Sequence, residues 1–228
     1  MTIGNYRPET GSLPAKINLP SLQRAAVKKQ VKTKPQSPSR IWSEVQRKVL
    51  RHELGHWLVA RKVGFDTGDI TITIRQQSQA HLPLQEGDSW VNPAPVIKNI
   101  GDLTLYLEDR ISVLYAGLAA QTHGLELDSV ELGRIQEQDA ATDLRIIREL
   151  VPILRGTLHG PRVDQETFSN ECLEALTPLW ERTQKLIAIL YPKLDWMADQ
   201  MGKKVISSNR TYVFTLRDLE ALEQSYPE

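Results

Sequence analysis

A single cysteine, Cys172, in 228 residues excludes an internal disulfide and any zinc site built from several thiolates, so a metal bound here rests on imidazole and carboxylate. Charge of one sign is missing too. The 28 Lys and Arg balance 28 Asp and Glu, which argues against nucleic acid as the main partner. No apolar run approaches the roughly 18 to 20 residues of a membrane helix. The first residues lack the apolar core of a secretory signal, so no membrane span and a cytoplasmic location are expected. No GxxxxGK[ST] phosphate loop occurs, and with it no ATPase module within these residues. There is no internal repeat.

What is present is a hydrophobic content of 40%, enough to bury one substantial core or two small ones. Residues 1–40 read as a flexible basic arm: Arg7, Lys16, Arg24, Lys28, Lys29, Lys32, Lys34 and Arg40 face one acid, Glu9, among five prolines. Such an arm is either a solvated tail or an electrostatic contact for a partner. Residues 41–228 are expected to form one ordered domain. "SEVQ" reads as a capping box at Ser43, and Gly64 as a left-handed stop, which bounds a helix over 44–63.

That helix contains "VLRHELGHWLVARKVGF", residues 49–65. Val45, Val49, His52, His56, Val59 and Val63 follow one another at steps of three or four, so both histidines lie on one face with aliphatic neighbours. Imidazoles four residues apart on a helix can hold one zinc ion, with the glutamate after the first histidine beside the ion's open position. Glu53 would there serve as the general base toward a zinc-activated water, then return the proton to the leaving amine. The plainer alternative is two part-buried histidines satisfied by backbone or water. The full five-residue pattern on an inward face favours the metal.

A catalytic zinc usually takes three protein ligands. The metzincin extension would need glycine and histidine where this chain has Val59 and Lys62. Other candidates are Glu86 in a polar segment and Glu108 in "LYLEDRISVLYAGLAAQTHG", a helical pattern striped by Leu103, Leu107, Ile111, Leu114 and Leu118. "EQDAATDLRIIRELV" offers Asp139 and Asp143, one helical turn apart and in line with Ile146 and Leu150. His81 and His123 read as incidental.

"HELGHWLVARKVGF", "DITITIR", "ISVLYAGLAAQ" and "DAATDLRIIRELV" occur in the order of the segments of the FtsH-type ATP-dependent zinc metalloprotease domain, and over about residues 44–151 the chain resembles that family. The resemblance implies a zincin-like protease domain with one Zn2+ per chain, His52 and His56 as ligands and Glu53 as base. The third ligand would come from a later helix. Matching Arg148 and Val151 to the family's arginine and valine selects Asp139; matching the aspartate-leucine pair selects Asp143, and Asp139 is preferred. The family's glycine-arginine-alanine-alanine-glutamate signature stands here as "GLAAQ", with Leu118 and Gln121 at the arginine and acid. If that acid orients a ligand, its loss weakens the metal. Without an ATPase module, expected substrates are peptides or unfolded proteins, reached alone, as a homo-oligomer or through a separate ATPase. The alternative is a catalytically silent relative acting as a binding or adaptor protein.

In "DITITIR", Ile70, Ile72 and Ile74 face one way and Thr71 and Thr73 the other, as in a half-buried strand. As an edge strand it would hold an extended substrate through Ile72, Thr73 and Ile74. The following "RQQSQAHLPLQEGDSWVNPAP" reads as a long loop. Residues 164–228 read as mainly helical, interrupted at Pro178, with "TYVF" and a last helix opened by Thr215 and Asp218. Trp180 and Trp196 read as packing residues. The expected class is mainly α with a small β-sheet, and a helical bundle on the C-terminal side.

Overall fold

The computed structural model describes residues 38–75, 85–161, 164–207 and 209–227. The basic arm up to residue 37 and His81 lie outside them. The chain runs α1 (Pro38–Lys62), β1 (Asp66–Ile74), β2 (Gln85–Asn92), α2 (Ile100–Thr122), α3 (Ser129–Gln138), α4 (Ala141–His159), α5 (Gln165–Gly202), β3 (Arg210–Phe214) and α6 (Leu216–Gln224). It is mainly helical with one three-stranded antiparallel sheet, as the sequence suggests. No helix among the described residues is long and apolar enough to cross a membrane.

α1 ends as expected. Gly64 takes φ 83°, Phe65 N–H donates to the Ala60 carbonyl at 2.9 Å and Gly64 N–H to Arg61 at 3.2 Å, which closes the helix by a Schellman pattern. Its start differs. The helix already runs from Pro38 and passes through Ser43, so Ser43 is no cap. Proline is tolerated in a first turn, and nothing between it and Ser43 breaks the helix. Gln46, assigned to that capping box, is buried and instead donates its side-chain amide to the Val205 carbonyl.

Ile70, Ile72 and Ile74 of β1 are fully buried and Thr71 and Thr73 between them are part-exposed, as alternation requires. β1 is not an edge strand, however. The strand order is β2-β1-β3, with Ile72 opposite both Gly87 and Tyr212, and Thr73 opposite Glu86 and Thr211. The substrate-binding assignment of Ile72, Thr73 and Ile74 therefore fails, because both hydrogen-bonding sides of β1 are taken. β2 lies inside the segment read as loop. Its residues, "QEGDSWVN", carry little intrinsic strand preference, and pairing with β1 overrides it.

α2 opens on a capping box, Asn99 with Asp102, and every residue from Ile111 to Gln121 is buried. It is the central helix, packed by α1, α4 and α5. α5 is one helix of 38 residues rather than one interrupted at Pro178. Pro178 and Pro192 both sit on its exposed side, where water can satisfy the carbonyls their missing N–H groups leave. Trp180 is buried edge-on to Tyr115 and Trp196 packs on Tyr226, both as packing residues. Thr215 and Asp218 form the capping box of α6 as expected.

α1 and α2 meet where Gly55 lies against Ala116. A Cβ on Gly55 would stand 2.5 Å from the Ala116 carbonyl oxygen and 2.8 Å from the Ala120 Cβ. Alanine gains up to about 1 kcal/mol in helix propensity over glycine, whereas crowding a packed contact costs about 1–3 kcal/mol. Gly55→Ala is expected to destabilise the protein in chemical denaturation. A more stable variant would contradict the close approach of the two helices.

Candidate metal centre

α1 places His52 and His56 side by side on its inward face, both buried, with ring centroids 4.7 Å apart and planes at 76°. The far side of each ring is fixed by α2. His56 Nδ1 lies 2.7 Å from the Val113 carbonyl oxygen, and His52 Nδ1 lies 3.0 Å from Gln121 Oε1. A carbonyl only accepts, so His56 donates from Nδ1. The Gln121 amide is oriented by Asp139, whose Oδ2 accepts from Gln121 Nε2 at 2.6 Å, so Oε1 faces His52 and His52 also donates from Nδ1. A neutral ring then carries its lone pair on Nε2, facing the site; because the Asp143 carboxylate also only accepts, its contact with His52 Nε2 needs a proton or a cation between the two atoms.

Both Nε2 atoms meet Asp143, in the first turn of α4. Its Oδ2 is 3.1 Å from His52 Nε2 and 3.3 Å from His56 Nε2. The three donor atoms lie within 4.8 Å of one another. Tetrahedral ligands bonded to zinc at about 2.0–2.1 Å stand about 3.3–3.4 Å apart, a spacing that the two separations from Asp143 Oδ2 approach. The space is kept by Gly117: a Cβ there would lie 2.4 Å from His56 Nε2 and 2.6 Å from His52 Nε2. The donor set of two imidazoles and one carboxylate thus fits a divalent ion of zinc's type, with a glycine where a side chain would fill the ligand space.

The electrostatics agree. Burial alone would raise the Asp143 carboxyl, but His56 and His52 beside it hold it well below the usual carboxylate range. Burial would lower His56, and Asp143 overrides it, pushing the imidazole up from 6.5 to about 9. Glu53 is buried too, and desolvation raises its carboxyl, opposed by His52 and His56 and by a hydrogen bond with Ser89. Its carboxylate lies under β2: a Cβ on Gly87 would fall 2.2 Å from Glu53 Oε1.

The structure brings together His52, His56 and Glu53 as the motif suggests, and adds Asp143 rather than Asp139. The preference for Asp139 rests on matching Arg148 and Val151 to the family, and the alignment of both aspartates with Ile146 and Leu150 requires one helix carrying them. The helix is broken: α3 ends at Gln138, Asp139 caps it, and α4 begins at Ala141. Asp139 consequently reaches Gln121. Ile146 and Leu150, expected in line with the aspartates, are only partly buried, while Leu144, Ile147, Val151 and Leu154 face the core. Glu86 is exposed and paired with Arg75 at 2.8 Å, and Glu108 is not in the cluster. His123 packs against Tyr191, ring centroids 4.2 Å apart and tilted by 42°, and is not in the cluster. Val113, Gly117, Gly87 and Ser89 went unnoticed in the sequence. The small residues Ala116, Gly117, Ala119 and Ala120 are the available signal for Gly117; the two β2 residues leave none.

No protein-family model matches this chain, and neither does any curated protein.

In the metal-free protein a proton on His56 takes the place of a cation between Nε2 and Asp143. Because the folded value lies above the ordinary 6.5, this proton's stabilisation is fully present below about 6.5 and is lost as pH rises through about 9. A divalent ion held at Nε2 would have to displace it. Calorimetric titration of zinc into metal-free protein, in buffers of different ionisation enthalpy, is expected to show on the order of one proton released per zinc near neutral pH. That release should fall away as pH rises through about 9. A proton count that does not change over this range would contradict the coupling.

Proposed function

We propose that this chain is a zinc-dependent peptidase in which His52, His56 and Asp143 hold the ion and Glu53 carries the proton. The observation that supports it is the convergence of three metal-ligating atoms with a buried carboxyl whose electrostatic neighbours are those same residues. The resemblance of "HELGH" and the three later segments to FtsH-type metalloproteases points the same way. When bound, zinc would supply Lewis acidity toward a peptide carbonyl and toward water.

The chain's own residues do the rest. Glu53 takes up the proton that water gives up and later delivers it to the leaving amine. A carboxyl raised by burial is a stronger base than an ordinary glutamate, which suits it to accept the proton. Gly87 leaves room for that carboxyl and Ser89 steadies it. The substrate is an extended polypeptide segment. β2 is the outermost strand on its side of the sheet, and Gly87 and Ser89 stand at Glu53, so a peptide adding to β2 would run past the site with its backbone held by main-chain hydrogen bonds. Strand addition, first assigned to β1, belongs on this reading to β2.

Glu53→Gln is expected to retain zinc while hydrolysis of a flexible peptide or unfolded protein falls by about 10²- to 10⁴-fold. Equal turnover by wild type and variant would sink the role of Glu53. Zinc binding by both with cleavage by neither would favour a catalytically silent binding protein instead.

A further inference from the structure

We propose that Gln121 and Asp139 form a relay that fixes which nitrogen of His52 carries its proton, and so sets how strongly His52 can hold a metal. Gln121 is a positioning residue, and Asp139 positions it. The inference rests on the metal site proposed above, and it explains the two positions that the site's ligands leave unused.

A carboxylate at position 121 would present an acceptor to His52 Nδ1 whichever way it turned. The glutamine of this chain does not. Its two ends are nearly equal in shape and opposite in hydrogen bonding, so an unrestrained amide can turn over and offer N–H to His52. His52 would then have to accept at Nδ1 and carry its proton on Nε2, pointing at Asp143, and the lone pair needed for the metal would be gone. Gln121 is 2% exposed, so water cannot correct the error. Asp139 prevents it. Its Oδ2, 2.6 Å from Gln121 Nε2, accepts and cannot donate when ionised, so the amide is held with Oε1 on His52 Nδ1 at 3.0 Å. Placing Asp139 in the break between α3 and α4 is what makes this contact; one turn along, Asp143 faces the histidines.

The relay makes a specific demand on paired substitutions. With glutamine at 121, loss of the Asp139 carboxylate frees the amide. With glutamate at 121 no orientation needs holding, and Asp139 becomes a like charge at hydrogen-bond distance. The effect of removing Asp139 should therefore change with its neighbour. Zinc affinity is read by chelator competition for wild type, Asp139→Ala, Gln121→Glu and the double variant Gln121→Glu/Asp139→Ala. Asp139→Ala is expected to weaken zinc by about 10-fold in the wild-type background, at the lower end of what partners of metal ligands contribute. In the Gln121→Glu background the same change should leave affinity unaltered or improve it. Equal weakening in both backgrounds would mean that Asp139 acts by general charge or packing, and would overturn the relay.

Nitrogen NMR of the His52 ring in the metal-free protein supplies a reading independent of zinc. Nδ1 should be protonated in wild type and lose that proton in Asp139→Ala. An unprotonated Nδ1 in wild type would overturn the relay. The expected pattern in a protein that binds no zinc would keep the relay and reject the metal site.

Discussion

The site depends on where two protons sit. Val113 and Gln121 each take a hydrogen bond from the Nδ1 side of a buried imidazole, which leaves the Nε2 atoms facing the Asp143 carboxylate. Lone pairs and a negative charge gathered in a buried space are unfavourable unless a cation joins them. A proton on His56 meets that demand in part. A divalent ion bonded to all three atoms would meet it more fully.

Much of the surrounding fold serves this arrangement. The close crossing of α1 and α2 at Gly55 and Gly117 brings the histidines against the carbonyl of Val113, and larger residues at either glycine would collide with backbone or with the ring nitrogens. The break between α3 and α4 sends two neighbouring aspartates in different directions, Asp143 to the histidines and Asp139 to the amide behind them. β3, drawn from the far end of the chain, closes one side of β1 and leaves β2 as the outer strand beside Glu53. Gly87, at the strand's point of contact with that carboxylate, has no side chain to displace it.

The helix carrying the motif, the inward face of its histidines, the alternation of β1 and the capping of α6 were legible because each follows from local periodicity or capping chemistry. What escaped were features set by distant partners. β1 has the pattern of a half-buried strand whether it is central or at an edge; only its pairing with Tyr212 and Thr211 decides. β2 has no strand-like composition and exists through its ladder with β1. Asp139 and Asp143 look equivalent on an unbroken helix, and the short "QDAA" sequence carries no glycine or proline to announce the break. The Gln46 side chain matched a local cap and was used in a tertiary contact instead.

Zinc analysis of the purified chain beside its Asp143→Asn variant, with X-ray absorption at the zinc edge, tests the central claim most directly. The account predicts about one zinc per wild-type chain, bound by two imidazoles and a carboxylate oxygen at about 2.0–2.1 Å. It also predicts marked loss of zinc in Asp143→Asn, because an uncharged amide is the poorer ligand. A folded wild type with no measurable zinc affinity, or one whose zinc is indifferent to Asp143, would contradict it.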